Sequence, residues 1–285
     1  MKPSDEADAL SVLGHEGRLA VFRLLARRAP GGVRPSEIAN ALNIKPSTLS
    51  IYLAALERAE LIHSTRIGKA IFYRIDLHQV GQLIDYLVND CCRGRPELCV
   101  PMAAHALKHV NLEAKEMSNR VFNVLFICVG NSARSIMAET ILNEEGGGKF
   151  RAFSAGTKPY STMNPIALDV LRNLGHNIGT LRAKSTAEFR EPTAPHFDFV
   201  FTLCDQAANE ECPPWPGQPI TAHWGMPDPV KAAGTEVERV LAFKETYRTL
   251  RHRLLAFVAL PIDTLDRVAL QHRLDEIGGS ARHGV

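Results

Sequence analysis

The chain has 285 residues, 45% of them hydrophobic and 22% charged, with a formal net charge of +2 and six cysteines. That length favours two domains over one, and so mild a basic balance does not by itself announce a nucleic-acid partner. No apolar run of about 18 residues occurs and the start, MKPSDEADALSVLGHEG, holds acids without an apolar core segment, so neither a membrane span nor a signal peptide is expected. The expected compartment is the cytoplasm, where thiols stay reduced unless they catalyse or sense. No internal repeat is visible.

In chain order, SVLGHEGRLAVFRLLARRAPGG reads as a helix ending at Gly31-Gly32. RPSEIANALNIKPSTLSIYLAALERAELI then holds two short helical patterns split by NIKP, with Ser36 a candidate cap for the first and Ser47 beside Pro46 at the start of the second. Ala39 stands where two crossing helices need a small residue, which is helix-turn-helix spacing. HSTRIGKAIFYRI follows, with Gly68 between β-prone residues, and reads as a two-stranded wing carrying Arg66, Lys69 and Arg74. Helix, turn, helix and wing in this order resemble the ArsR-type winged-helix repressors over about Asp5 to Cys99. The resemblance implies an α+β DNA-binding domain, 1–100, acting as a homodimer on near-palindromic operator DNA. Ser47, Thr48, Ser50 and Tyr52 would face the major groove, and Arg66 and Lys69 of the wing would touch phosphates. The other reading is a small helical domain that merely packs on its neighbour.

Cys91, Cys92 and Cys99 cluster in NDCCRGRPELC at the end of this domain. Three thiols bent around glycine and proline suit one soft ion, and arsenite takes three sulfurs. Zinc, which takes four donors, would need His78 or His105 as well. The DNA-binding helices, Pro35 to Arg58, contain no cysteine. The tail cluster instead resembles that of other arsenite-responsive members, which implies an inducer site. The segment 101–120 is a linker without a Gly/Ser run.

From Val121 the pattern changes. VFNVLFIC reads as a buried strand, and SIMAETILNEEG as a helix ending at glycine. Between them, CVGNSARS places backbone N–H groups at a helix N-terminus, a concavity that favours an anion. Arg134 adds a planar fork for two oxygens of a tetrahedral oxyanion. The nucleophile candidate Cys128 opens the loop inside that positive field, with the Ser135 hydroxyl in reach. FRAFSAG, FDFVFTLC and PITAHWG read as further strands, and NPIALDVLRNLG and EVERVLAFKETYRTLRHRLLAFVAL as helices, an α/β alternation.

CVGNSARS resembles the active-site loop of low-molecular-weight tyrosine phosphatases and of the arsenate reductases that share their fold. The resemblance runs over about Val121 to Ile277 and implies a four-stranded parallel sheet with helices on both faces, the domain 121–277, followed by a disordered tail, 278–285. Val129, Gly130, Asn131, Ser132, Ala133 and Ser135 would line the oxyanion loop, with Asn131 bracing it through its amide. Both chemistries begin with Cys128 attacking an oxyanion. A phosphatase then needs water, whereas a reductase needs a second thiol. LCDQAANEECPPWPGQP supplies Cys204 at a strand end and Cys212 in a turn-rich segment that suits a mobile loop. The CDxA…CP pattern is similar to that of the thiol-relay reductases, which implies exchange from Cys128 to Cys204 to Cys212.

Asp228 of MPDPVKAAG matches the family's general acid, but Val230 and Lys231 follow where phosphatases usually carry tyrosines. Glu139 and Ser154 align with cation-binding positions of one reductase branch. A further acid expected within Leu181 to Thr186 is absent, and Lys184 stands there instead. The expectation is therefore a cytoplasmic, arsenite-responsive repressor fused to an arsenate reductase. It would hold no tightly bound cofactor, respond to arsenite as inducer and draw on thioredoxin or glutathione/glutaredoxin as reductant. The rivals are a repressor fused to a phosphatase and a non-catalytic sensor of oxyanion or redox state.

Overall fold

The computed structural model describes residues 3–91, 120–191, 193–210 and 215–279. Cys92, Cys99, His105 and Cys212 therefore lie outside the described residues, as does nearly all of the expected linker. The chain divides into two compact units, Met1–Ser118 and Asn119–Val285.

In the first unit, the helix expected from Ser11 onward is two helices, α1 (Pro3–Leu13) and α2 (Glu16–Arg28). The break comes at Gly14-His15, where His15 Nδ1 accepts the N–H groups of Gly17 and Arg18 and so caps α2. Helix α2 stops at Arg28, short of the expected glycines. Helices α3 (Pro35–Leu42) and α4 (Pro46–Arg58) form the helix-turn-helix. Ser36 does not cap α3: Arg34 occupies that place without a side-chain bond and Pro35 takes the first helical position, where its fixed φ and missing N–H suit the helix start. The turn between them is closed by Asn43 in left-handed backbone (φ 51°), with the Ile44 N–H bonded to the Ala39 carbonyl. Strands β1 (Ile62–Ile67) and β2 (Ala70–Ile75) pair antiparallel across Gly68 (φ 61°), giving the wing. Helix α5 (Leu77–Asp85), capped by Asp76, runs into a π-helical turn, Tyr86–Cys91. Leu49, Leu53 and Leu56 of α4 meet Val21, Leu24 and Leu25 of α2 and Ile38 of α3 in one buried core.

The second unit holds a parallel sheet in the order β4-β3-β5-β6: β3 (Phe122–Cys128), β4 (Phe150–Gly156), β5 (Phe199–Thr202) and β6 (Ile220–His223). Alternate residues of β3 and β5 enter two separate cores, as the two-residue period of a strand requires. Val124, Phe126, Phe199 and Phe201 join α6 (Arg134–Glu145), α7 (Pro165–Asn173), α9 (Glu236–Val258) and α10 (Arg267–Gly279). Leu125, Ile127 and Val200 face the other way, toward α8 (Asp205–Asn209) and a 3₁₀ turn, Thr186–Arg190.

Two expectations need correction. Strands β5 and β6 are shorter than the apolar runs that announced them, because Leu203-Cys204 and Trp224-Gly225 leave the sheet as loops at its C-terminal edge. The tail does not begin at Gly278. That residue and Gly279 complete α10; a Cβ on Gly278 would come within 2.6 Å of the Trp224 ring, and buried Arg253 bonds both the Trp224 and Gly278 carbonyls. Among the described residues, no helix is long and apolar enough to cross a membrane.

Candidate functional site

The loop from Cys128 to Ala133 leaves the C-terminal end of central strand β3 and feeds α6, where an α/β sheet places its ligands. Its shape follows from what holds its carbonyls. Those of Cys128, Val129, Gly130 and Ser132 accept N–H groups from Thr157, Lys158, Tyr160 and Asn164, at 2.9–3.0 Å. A trans peptide points its N–H opposite to its carbonyl. Carbonyls held outward therefore turn the next N–H groups into the concavity, and the Asn131 N–H does reach Cys128 Sγ, at 3.1 Å. Gly130 has no room for a side chain, since a Cβ would fall 2.5 Å from the Tyr160 ring. Asn131 adopts left-handed backbone (φ 44°), held by its own amide: Nδ2 donates to Ser135 Oγ and Ser154 Oγ, and Oδ1 accepts the Lys184 N–H.

Cys128 is buried, with its sulfur 2.9 Å from Ser135 Oγ. Arg134, the first residue of α6, is nearly buried as well. Its guanidinium bonds Asp228 Oδ2 at 2.9 Å and the Met226 carbonyl at 3.2 Å, so its fork is oriented from the loop after β6. Cys204 caps α8 through its sulfur and shares a buried core with Cys128. Burial pushes the Cys204 thiol up; the Ala207 N–H and the Arg134 guanidinium act in the opposite sense. Cys128, Arg134, Ser135, Cys204 and Asp228 thus meet at one end of the sheet.

Behind the loop, Lys184 Nζ lies 2.7 and 2.9 Å from the two oxygens of Glu139, and Ser154 Oγ donates to the same carboxylate. Lys184 thus pairs with the Glu139 carboxylate that the sequence reading aligned with a cation site. Sequence reading missed His223, buried between Thr202 Oγ1 (2.8 Å) and Asp205 Oδ1 (2.9 Å) on either side of Cys204. Its only trace in the sequence is its place at the end of a strand, inside the quoted PITAHWG.

In the first unit, Ser47 and Ser50 lie exposed on α4 and Thr48 is half-buried. Ile51, Ala54 and Arg58 share the exposed stripe with the two serines, and Ile51 is 68% exposed. Tyr52 does not belong to that face. It turns toward α2, where a Cβ on Gly17 would lie 2.6 Å from its ring, and it packs beside the His15 ring. The four-residue spacing from Thr48 concealed this, because a position next to the stripe points back to the core. Arg66 and Lys69 are exposed on the wing, and Arg66 Nε donates to the Gly68 carbonyl. Cys91 is exposed at the end of the π-helical turn. Among the described residues, no three His, Cys, Asp or Glu side chains are grouped to hold a metal ion.

The sequence matches two family models: low molecular weight phosphotyrosine protein phosphatase over residues 123–267, and a helix-turn-helix domain over residues 13–65. It is 35% identical over 135 residues to an arsenate reductase of Bacillus licheniformis, covering 47% of this chain and 93% of that one. It is 32% identical over 141 residues to an arsenate reductase of Bacillus subtilis, covering 50% and 96%. Among solved structures, an ArsR-like transcriptional regulator from Rhodococcus sp. RHA1 is similar at a TM-score of 0.30 and 19% identity, over 38% of this chain and 93% of that one.

Proposed function

The chain belongs to the low molecular weight phosphotyrosine protein phosphatase family, with an ArsR-type helix-turn-helix domain fused ahead of that module and arsenate reductases as its homologues; from that premise we propose that it reduces arsenate to arsenite by a three-cysteine relay and represses transcription until arsenite binds it. Arsenate sits in the 128–135 loop, its oxygens on the amides and the Arg134 fork. Cys128 Sγ attacks arsenic, a sulfur–arsenic bond forms and one oxygen leaves as water after taking a proton from Asp228. Arsenate takes over part of the Arg134 fork that Asp228 holds at 2.9 Å, which frees the acid for this role.

Cys204 then attacks Cys128 Sγ. The sulfur–sulfur bond forms, the sulfur–arsenic bond breaks, and its electron pair stays on arsenic, which leaves as arsenite while the two thiols are oxidised to a disulfide. Cys212 attacks Cys204 and releases Cys128, and external thioredoxin or a glutathione/glutaredoxin system reduces the last disulfide. In the repressor half, α4 enters the major groove with Ser47, Thr48 and Ser50 toward the bases, and Arg66 and Lys69 rest on phosphates. A homodimer reads a near-palindromic operator. Arsenite on Cys91, Cys92 and Cys99 favours the DNA-free state, and the coupling equals its differential affinity for the two states.

The observation that carries the enzymatic reading is Cys204: a second thiol buried in the core that holds Cys128, within the field of Arg134. A phosphatase hands its intermediate to water and has no use for it. The test supplies purified full-length protein with arsenate and either thioredoxin or glutaredoxin, measures arsenite, and runs aryl phosphate hydrolysis beside it. Arsenite formation with one reductant supports the reading; phosphate release without arsenite rejects it.

A further inference from the structure

Cys204 is clamped from both flanks by one side chain. His223 ends β6, and its register partner in the sheet is Thr202 of β5. Its ring is nearly buried; Nδ1 lies 2.8 Å from Thr202 Oγ1 and Nε2 lies 2.9 Å from Asp205 Oδ1. Residue 202 precedes Cys204 by two positions and Asp205 follows it as the first residue of α8. An ionised carboxylate only accepts hydrogen bonds, so Nε2 carries the hydrogen toward Asp205, while Nδ1 shares the second bond with the Thr202 hydroxyl. A neutral imidazole satisfies both bonds. Gly225 leaves the space for this contact, since a Cβ there would fall 2.5 Å from His223 Nε2 and 3.2 Å from Asp205 Oδ1. Backbone bonds continue the bracket: the Trp224 N–H reaches the Thr202 carbonyl and the Met226 N–H the Leu203 carbonyl, and the Met226 carbonyl accepts from Arg134.

The ring would serve the first exchange of the relay, and the inference rests on that reading. For the first exchange, the Cys204 sulfur must be aimed at Cys128, and small misplacement of a reacting atom is costly. We propose that His223 is the positioning residue of the second thiol: bonded to Thr202 and Asp205 on either side of it, the ring fixes Cys204 against Cys128.

The test is made in full-length protein carrying Cys212→Ser, which halts the relay at the Cys128–Cys204 disulfide. Formation of that disulfide after one addition of arsenate is followed by mass spectrometry under non-reducing conditions. Occupancy of the oxyanion loop is measured separately, as protection of Cys128 from alkylation by inorganic phosphate. His223→Ala is expected to slow disulfide formation by about tenfold to a hundredfold, with phosphate protection unchanged. His223→Gln, whose amide reaches toward Asp205, recovers part of the rate. Asp205→Asn and Gly225→Ala perturb the same contact without removing the ring and serve if His223→Ala does not fold. Disulfide formation at the parent rate in the foldable variants overturns the positioning role. No Cys128–Cys204 disulfide in the parent itself overturns the relay, and the inference with it.

Discussion

Lys184 Nζ lies 2.7 Å from Glu139 Oε2, with both side chains nearly buried and the two residues 45 positions apart in the chain. The pair sits under the oxyanion loop: the Lys184 N–H holds Asn131 Oδ1, and Ser154 links Asn131 to the same carboxylate. Removing the ammonium alone strands a buried charge. Lys184→Met should therefore lower stability by about 3–5 kcal/mol, read as a lower melting temperature. Millimolar potassium should restore part of the loss by entering the vacated place, and Glu139→Gln added to Lys184→Met should restore more. A Lys184→Met protein as stable as the parent, and indifferent to potassium, contradicts this account of the loop's support.

The Ser135 hydroxyl is 2.9 Å from Cys128 Sγ and is itself held by Asn131. Ser135→Ala removes a bond to the sulfur that becomes the nucleophile. The expected result is a fall of at least about tenfold in kcat for arsenate reduction, with a smaller change in KM, since the proposed mechanism assigns oxyanion binding to the loop amides and Arg134. An unchanged kcat would show that the hydroxyl only supports the fold.

Burial raises the Cys204 thiol above its ordinary value. Below that folded value the thiolate fraction grows about tenfold per pH unit. In a single turnover, the arsenite-releasing step should accelerate as pH rises through the ordinary thiol range and beyond it, levelling only once Cys204 has ionised. Stopped-quench sampling over a pH series checks this. A rate already flat near neutrality contradicts it.

On α4, Ser47, Ser50, Ile51, Ala54 and Arg58 form an exposed stripe, the face that the proposed repressor function would turn to DNA, and Tyr52 is not part of it. Ala54→Glu should abolish binding to an operator selected from random duplexes, because it brings a carboxylate to the phosphates. Tyr52→Phe should bind as the parent does. Arg66→Ala and Lys69→Ala should each weaken binding on all sequences and reduce the salt slope by about one. Fluorescence anisotropy at several salt concentrations reads all four. Loss of binding by Tyr52→Phe with the fold intact would return that residue to the groove.

The elements most legible in the sequence were those whose local chemistry agrees with their surroundings. Strand β3 is a continuous apolar run flanked by a glycine-containing loop, and β4 was bounded correctly from Phe150 to Gly156. The helix-turn-helix was legible from the NIKP break between two helical patterns, Pro46 at the start of the second and Ala39 at their crossing. Local rules failed where distant residues decide. The break before α2 depends on a histidine acting as cap, an uncommon choice. Ser36 lost its place as a cap because Pro35 shifted the helix start. The orientation of Tyr52 is set by Gly17, on another helix. At the site, the Cys128 loop announced itself by spacing and Asp228 by its match to the family's general acid, whereas Lys184 with Glu139, and His223 with Thr202 and Asp205, are pairs made only by folding.

The central claim is that electrons for arsenate reduction pass through three cysteines in turn. The direct measurement is arsenite released per chain by the Cys212→Ser protein given excess arsenate and either reductant. The account predicts one arsenite per chain, appearing at the parent's rate, and then a halt with Cys128 and Cys204 disulfide-bonded. Sustained turnover with thioredoxin or glutaredoxin would contradict it.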